Sequence, residues 1–414
     1  MKTLIRNLGP GLLFASMAIG TSHLVLSTKA GAQYGWIMIV PIILANVLKY
    51  PFFEFGVRYT SVTNTTLIQG YLNRGKGYLW FYAAITVTTI FTLLAALYTV
   101  TAGLFINLFK LDGASIGSVA FGLFAFISAL LIIGRYRFLE LSLKMVVGIL
   151  FVALLATTFL VVAKGRTEAA QDFEPLPLFD GAGVLFIIGL MGWMPTAVEA
   201  SSWVSLWSLE KWKVQKKPTL QQSLQEFNTG YVLTALLAIF FLVIGWYTLY
   251  GTRTELSGNA VQFADQVVSL FTTHIGQWAY PFIAVSAFAT MFSTCMTAHD
   301  AIARVGLDIA ELLSPKKILS GNKRLFSFTV ILLALINFLV IWLFGGNMGQ
   351  LVALATFVSF VVAPVIGYMN LKNVTSTDMA LEFQPPRPLK WLTYLGIVFL
   401  SLFAVYYFYI VLVQ

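Results

Sequence analysis

Residues 9–36 decide the fold: Gly9-Pro10-Gly11-Leu12-Leu13-Phe14-Ala15-Ser16-Met17-Ala18-Ile19-Gly20-Thr21-Ser22-His23-Leu24-Val25-Leu26-Ser27-Thr28-Lys29-Ala30-Gly31-Ala32-Gln33-Tyr34-Gly35-Trp36. The stretch is long and apolar enough to enter a bilayer, yet Gly20-Thr21-Ser22-His23 interrupts it midway with poor helix formers. A continuous membrane helix satisfies its own backbone. A polar, glycine-containing interruption at membrane depth is tolerated where it lines a cavity or is buried in protein. The stretch therefore predicts a broken helix whose freed backbone groups form half of a transport site. Met191-Gly192-Trp193-Met194-Pro195-Thr196 predicts the other half. Pro195 removes an amide donor and frees a carbonyl one turn back, near Met191.

Composition sets the solvent. Of 414 residues, 58% are hydrophobic and 10% charged, with a mean hydropathy of +0.83. A soluble domain carries about 25% charged residues, so the expected class is an all-α integral membrane protein. Its long apolar runs lack the alternation of a barrel. About eleven spans fit, near 9–30, 36–57, 78–108, 114–134, 141–163, 181–207, 228–250, 277–300, 325–344, 349–370 and 391–412. The first is expected to be retained, because it runs straight into another helix.

The net charge of +9 follows the loops and does not point to nucleic acid. Starting with Lys2 and Arg6 inside, alternation places Arg135, Lys211, Lys213, Lys216, Lys217, Lys316, Lys317, Lys323 and Arg324 among the cytoplasmic residues. Lys29, Lys110, Lys164, Arg166 and Arg253 fall outside. Lys49 apart, the split is about twenty to five, which predicts a cytoplasmic amino terminus and an extracytoplasmic carboxyl terminus in the cell membrane. The first and sixth spans, both interrupted, lie five helices apart. Residues 1–414 therefore read as one transport domain: repeat one near 9–163, an inverted repeat two near 181–370 and an extra helix near 391–412.

Several side chains carry potential chemistry. Gly20, Thr21, Ser22 and His23 offer carbonyls, hydroxyls and an imidazole to a solute or ion; alternatively the run is a satisfied kink with His23 in a packed hydrogen bond. Met191, Met194 and Thr196 belong to the second break, where Met194 is either a soft ligand or pliable packing. Met17, Gly20, Ser293 and Thr294 could make an oxygen-rich site for a bound sodium ion, though hydroxyls also bond their own helix carbonyls. Glu199 is the proton-handling candidate, against a gate or packing contact. Glu54 and Arg58, four apart, are expected to pair. Lys49 either snorkels to the surface or pairs with another helix. Cys295 stands alone, so no intramolecular disulfide forms. There is no Walker loop, no His- or Cys-rich cluster and no Ser-His-Asp grouping, which argues against an ATP motor, a resident cofactor or an enzyme.

These residues resemble a known family. Gly9-Pro10-Gly11, the break and then Ala30-Gly31-Ala32-Gln33-Tyr34-Gly35 are similar to the first-helix region of the Nramp metal-ion transporters. Met194-Pro195-Thr196 resembles that family's Met-Pro-His motif, and Pro364 in the tenth span fits as well. The resemblance implies a LeuT-type fold of five plus five inverted helices with one added. It also implies secondary active transport by alternating access. The departures are specific. The family's first-helix Asp-Pro-Gly-Asn, whose Asp and Asn coordinate a divalent metal, is replaced by Gly20-Thr21-Ser22-His23. The histidine after the proline is Thr196. Phe91 to Tyr98 carries none of the acidic residues usual in the third helix.

Electrostatics then bears on cargo. A dehydrated divalent cation needs compensating negative charge, since desolvation costs several kcal/mol per ion. Hard ions favour carboxylates. Helix amino termini without an aspartate suit an anion instead. The expected substrate is therefore a small anion or carboxylate-bearing solute (bicarbonate, an organic acid or an amino acid), coupled to sodium or protons. The competing expectation is a proton-coupled manganese or iron transporter using His23 and Met194. The expected partners are a small solute or ion and the lipid bilayer, with no nucleic acid; the oligomeric state stays open.

Overall fold

The first span breaks where its polar run lies. In this computed structural model, helix α1 (Pro10–Ala18) ends as Ile19 and Gly20 leave the helical path. The Gly20 amide bonds Ala18 O at 2.9 Å, a turn too tight to continue an α-helix. The chain then rewinds as a π-helix over Ser22–Ser27 and continues as α2 (Thr28–Tyr34). Gly35, at φ 75°, turns it into the next span. The structure describes residues 10–111, 113–134, 136–213, 216–252, 254–314 and 322–413. Lys2, Arg6, Gly9, Arg135, Arg253, Lys316 and Lys317 lie outside the described residues.

The remaining elements are α3 (Ile39–Thr63), α4 (Leu67–Arg74), α5 (Lys76–Ile90), α6 (Leu93–Phe109), α7 (Ile116–Ile133) and α8 (Tyr136–Lys164). Then come α9 (Gly181–Gly192), α10 (Ala200–Trp212), α11 (Leu220–Leu249), α12 (Ala260–Ile275) and α13 (Tyr280–Leu313). α14 (Lys323–Leu343), α15 (Met348–Val374) and α16 (Arg387–Val413) complete the chain. Among the described residues there is no strand. Every expected span range carries helix, and among the described residues eight helical stretches are long and apolar enough to cross a membrane by themselves. That number is smaller than eleven partly because the broken sixth span does not count as one long helix. The sixth span is α9, an unwound segment from Trp193 to Glu199, and α10.

Burial sorts the helices into a centre and a rim. The apolar window of Lys76–Phe109 is 83% buried and that of Gln277–Leu313 72%, whereas Arg387–Ile410 is 22% buried and Lys323–Leu343 28%. The rim presents Phe159, Trp342, Trp391 and Leu402 outward, as lipid solvent permits. α11 packs against α1, the π-helix and α2, holding both halves of the broken first span. α9 lies on α15, and α10 lies on α3 and α13.

Two features depart from the sequence expectation. The third span is interrupted at Phe91 and Thr92. There the hydroxyls of Thr86, Thr89 and Thr92 bond back to carbonyls one turn earlier, a habit that bends helices. Asn337 Oδ1 accepts from the Ala95 amide at 3.0 Å and so caps the restart. The second departure is α12, which lies between the expected spans 228–250 and 277–300. Asn259 caps it by accepting from the amides of Val261 and Gln262. It buries Phe263, Ala264, Val267, Val268 and Phe271 along one face.

Candidate functional site

The two breaks meet. Ser22 Oγ lies 3.4 Å from Pro195 O, joining the first break to the second. Between them is a cavity of about 30 Å³, lined by Met17, Ala18, Gly20, Thr21, Ser22, Trp193, Thr196 and Ala197 from the broken spans. Leu93, Leu97, Trp203, Thr294 and Ala298 complete its wall. Its polar side-chain atoms are hydroxyls, the indole nitrogens and the Met17 thioether. Among the described residues no carboxylate lines it. Thr21 Oγ1 turns to Met291 Sδ at 3.8 Å.

His23 is placed differently from Thr21 and Ser22. It is fully buried and does not line the cavity. Its Nε2 lies 2.9 Å from Thr234 O on α11, and its Nδ1 lies 2.8 Å from Ser22 Oγ. A carbonyl cannot donate, so Nε2 carries a proton, and in the neutral ring Nδ1 accepts from Ser22. Both ring nitrogens are thereby engaged. Met191 and Met194 are also buried behind the wall. Their carbonyls, with those of Gly192 and Thr196, converge on Lys49 Nζ at 2.9, 2.9, 3.0 and 3.1 Å respectively. Of the proposed solute contacts, Gly20, Thr21, Ser22 and Thr196 share the cavity, while His23, Met191 and Met194 support it from outside.

The sequence matches the family model described as natural resistance-associated macrophage protein-like over residues 11–410. The chain belongs to the Nramp family. It is 32% identical over 399 residues to an uncharacterized protein of Pasteurella multocida (strain Pm70), which spans 96% of this chain and 90% of the relative. Its fold is similar to that of variants of the Eremococcus coleocola manganese transporter, with a TM-score of 0.69 at 16% identity over 97% of this chain and 86% of that one. It is also similar to a nucleobase-cation-symport-1 family transporter in a closed conformation with bromovinylhydantoin bound. There the TM-score is 0.62 at 12% identity over 97% and 91% of the two chains. At such identities the likeness concerns the fold, which is of the LeuT type. Nramp members are transporters and not enzymes, and this one is a multi-pass membrane protein.

In this Nramp chain the positions considered for a coupling ion do come together. Ser293 Oγ lies 2.9 Å from Ser16 Oγ. Thr294 Oγ1 donates to Thr290 O at 3.1 Å and stands 3.5 Å from Ser16 O. A methyl group built on Gly20 would sit 3.0 Å from Thr294 Cγ2, so the glycine lets α13 approach the break. Met17 and Thr294 face the cavity; Ser293 does not line it.

Glu199 closes the unwound segment of the sixth span just before α10. It is 3% exposed, and neither carboxylate oxygen has a hydrogen-bond partner among the described residues. Below it, Tyr82 bonds Ser202, and Asn370 bridges Tyr71 and Ser201. Glu54 and Arg58 pair as expected, at 2.5 Å, and Asp300 pairs with Arg304 at 2.8 Å. The sequence reading missed Leu93, Leu97, Trp193 and Trp203 as cavity wall. It left Lys49 between two roles, and the helix-to-helix one is realised.

Proposed function

We propose that this Nramp protein is a secondary active transporter that works by alternating access and carries a small solute other than a free divalent metal ion. The observation that carries the reading is the carboxylate-free cavity at the crossing of the two breaks. A divalent ion entering it would leave water without a countercharge, and that desolvation costs several kcal/mol. The lack of a carboxylate favours a small anion or a carboxylate-bearing solute. Room for about two waters favours bicarbonate over an amino acid, which would need the helices to part. We further propose inverted repeats at 9–163 and 181–370 with 391–412 appended, in a cell membrane with the amino terminus inside.

A second reading has its own support. The family and the manganese transporters that share the fold favour a divalent transition metal. It requires His23 and Met194 to leave their present partners and turn inward. Uptake into proteoliposomes separates the two. Manganese flux is expected to stay at the empty-liposome level, while bicarbonate or a small carboxylate is accumulated. Saturable manganese uptake that is lost in Met194→Ala would establish the metal reading instead.

Coupling is read from two further variants. A sodium ion near Met17, Gly20, Ser293 and Thr294 predicts that Ser293→Ala weakens sodium-driven uptake several-fold. A proton carried on Glu199 predicts that Glu199→Gln abolishes the response of uptake to a pH gradient. If neither gradient drives the wild-type protein, both assignments fail together.

A further inference from the structure

The sixth span ends its first half with more carbonyls than its backbone can satisfy. Met191 O would bond the amide of residue 195, but Pro195 has none; the Trp193 amide turns back to it and the Met194 amide donates to it only at 3.4 Å. Gly192 O ends α9, and Met194 O and Thr196 O belong to backbone that has left the helix. Bare carbonyls at membrane depth cost several kcal/mol each. All four are met by one atom, Lys49 Nζ, at 2.9–3.1 Å. Lys49 arrives from the middle of α3 and is 0% exposed.

The arrangement is coordination more than hydrogen-bond pairing. An ammonium has three donors and here faces four acceptors, so its protons are shared among them. Four acceptors around one nitrogen leave no direction for an amine lone pair, and the group is therefore the charged ammonium. Glu199, the acidic residue of the same unwound segment, is buried just before α10. The dipole of α9 directs its negative end at the ammonium.

We propose that Lys49 is a tethered cation: its ammonium permanently fills a four-carbonyl cage in the unwound sixth span, and without it the cage is a binding site for a monovalent metal ion. The size follows from the distances. Magnesium needs oxygens at about 2.0–2.1 Å and calcium at about 2.3–2.6 Å, both well inside the 2.9–3.1 Å shell around Nζ. A large monovalent ion such as potassium or rubidium fits with little movement. Lys49 then acts as a specificity determinant, keeping free cations out of carbonyls that lie directly behind the Thr196 wall. It also ties α3 to the second break, so the two move together. The proposal concerns the cage alone and holds whichever solute the cavity carries.

The test is rubidium binding to purified protein in lipid nanodiscs, followed with the radioactive ion. Wild-type protein is expected to retain none above background. Lys49→Met is expected to bind one ion per chain saturably, with at least a tenfold gain in retained rubidium, and to melt at a higher temperature in potassium than in choline. A folded Lys49→Met that retains no more rubidium than the wild type overturns the proposal. Lys49→Met can fail to fold because it strands Glu199; Lys49→Met/Glu199→Gln then removes both charges and keeps the cage, with the same gain expected and the same null result fatal. On the wild-type protein, reductive methylation read by mass spectrometry is expected to spare Lys49 while modifying the exposed Lys213, Lys216 and Lys217. Comparable modification of Lys49 also overturns the proposal.

Discussion

Gly31→Ala and Gly245→Ala are each expected to remove most of the folded protein, cutting the monodisperse yield at least tenfold. The helices α2 and α11 touch backbone to backbone at these two residues. A Cβ on Gly31 would sit 2.0 Å from Leu242 O and 2.7 Å from Trp246 N. A Cβ on Gly245 would sit 2.2 Å from Thr28 O and 3.1 Å from Ala32 N. Neither neighbour is a side chain that can swing aside, so the helices must separate by an ångström or more. Close approach through small residues is what holds membrane helices together in the absence of a hydrophobic drive. Overpacking a core typically costs about 1–3 kcal/mol; a clash with main chain at both glycines exceeds that. Propensity alone predicts the reverse, since alanine favours a helix interior by about 1 kcal/mol. Gly122→Ala supplies the comparison, because a Cβ there meets nothing within 4 Å. It should match or exceed the wild-type melting temperature. If Gly31→Ala behaves like Gly122→Ala in size-exclusion chromatography, this contact does not hold the first span to α11.

The same pair of glycines shows what the sequence could disclose. Gly31 is visible as a small residue, but Gly245 is its partner only because α11 crosses α2 there, and crossing points are set by the whole bundle. Legibility was greatest for the breaks. Gly20-Thr21-Ser22-His23 and Met194-Pro195 violate helix chemistry locally, and local violations can be read without a structure. The third-span interruption was harder, because Thr86, Thr89 and Thr92 loosen a helix only when their hydroxyls turn to the backbone. His23 illustrates a different limit. Its residue type and position suggested a ligand, yet its direction depends on Thr234 O of α11, 211 residues away in sequence. Lys49 was conspicuous as a lone basic residue inside a span. Its destination could have been found by asking where the carbonyls freed by Pro195 find a donor, since buried backbone acceptors rarely go unpaired.

Thr21→Asp is expected to turn the cavity into a divalent-metal site and to abolish transport of the native cargo. Thr21 is 1% exposed and forms part of the wall between the two breaks, so a carboxylate there has no bulk water to share its charge. At an effective dielectric near 20, unit charges about 4 Å apart attract by about 4 kcal/mol, and a divalent ion doubles that. Desolvating the ion and the carboxylate removes several kcal/mol of the gain. A remainder of about 2.8 kcal/mol corresponds to a hundredfold increase in manganese affinity. Calorimetry with manganese should therefore show weak or no binding to the wild type and clear binding to Thr21→Asp. The variant's melting temperature should rise with added metal, because the empty site leaves a buried carboxylate unpaired. Thr21→Asn, close to Asp in size and uncharged, should gain nothing. For an anionic cargo the same substitution places like charge in the binding cavity, and uptake should fall to background. Tight manganese binding by the wild type, or equal affinities for the Asp and Asn variants, would mean that cavity charge does not select the cargo. The two measurements share one cause: the charge a cavity lacks decides which ions it can hold, and a single side chain at the first break is enough to reverse its sign.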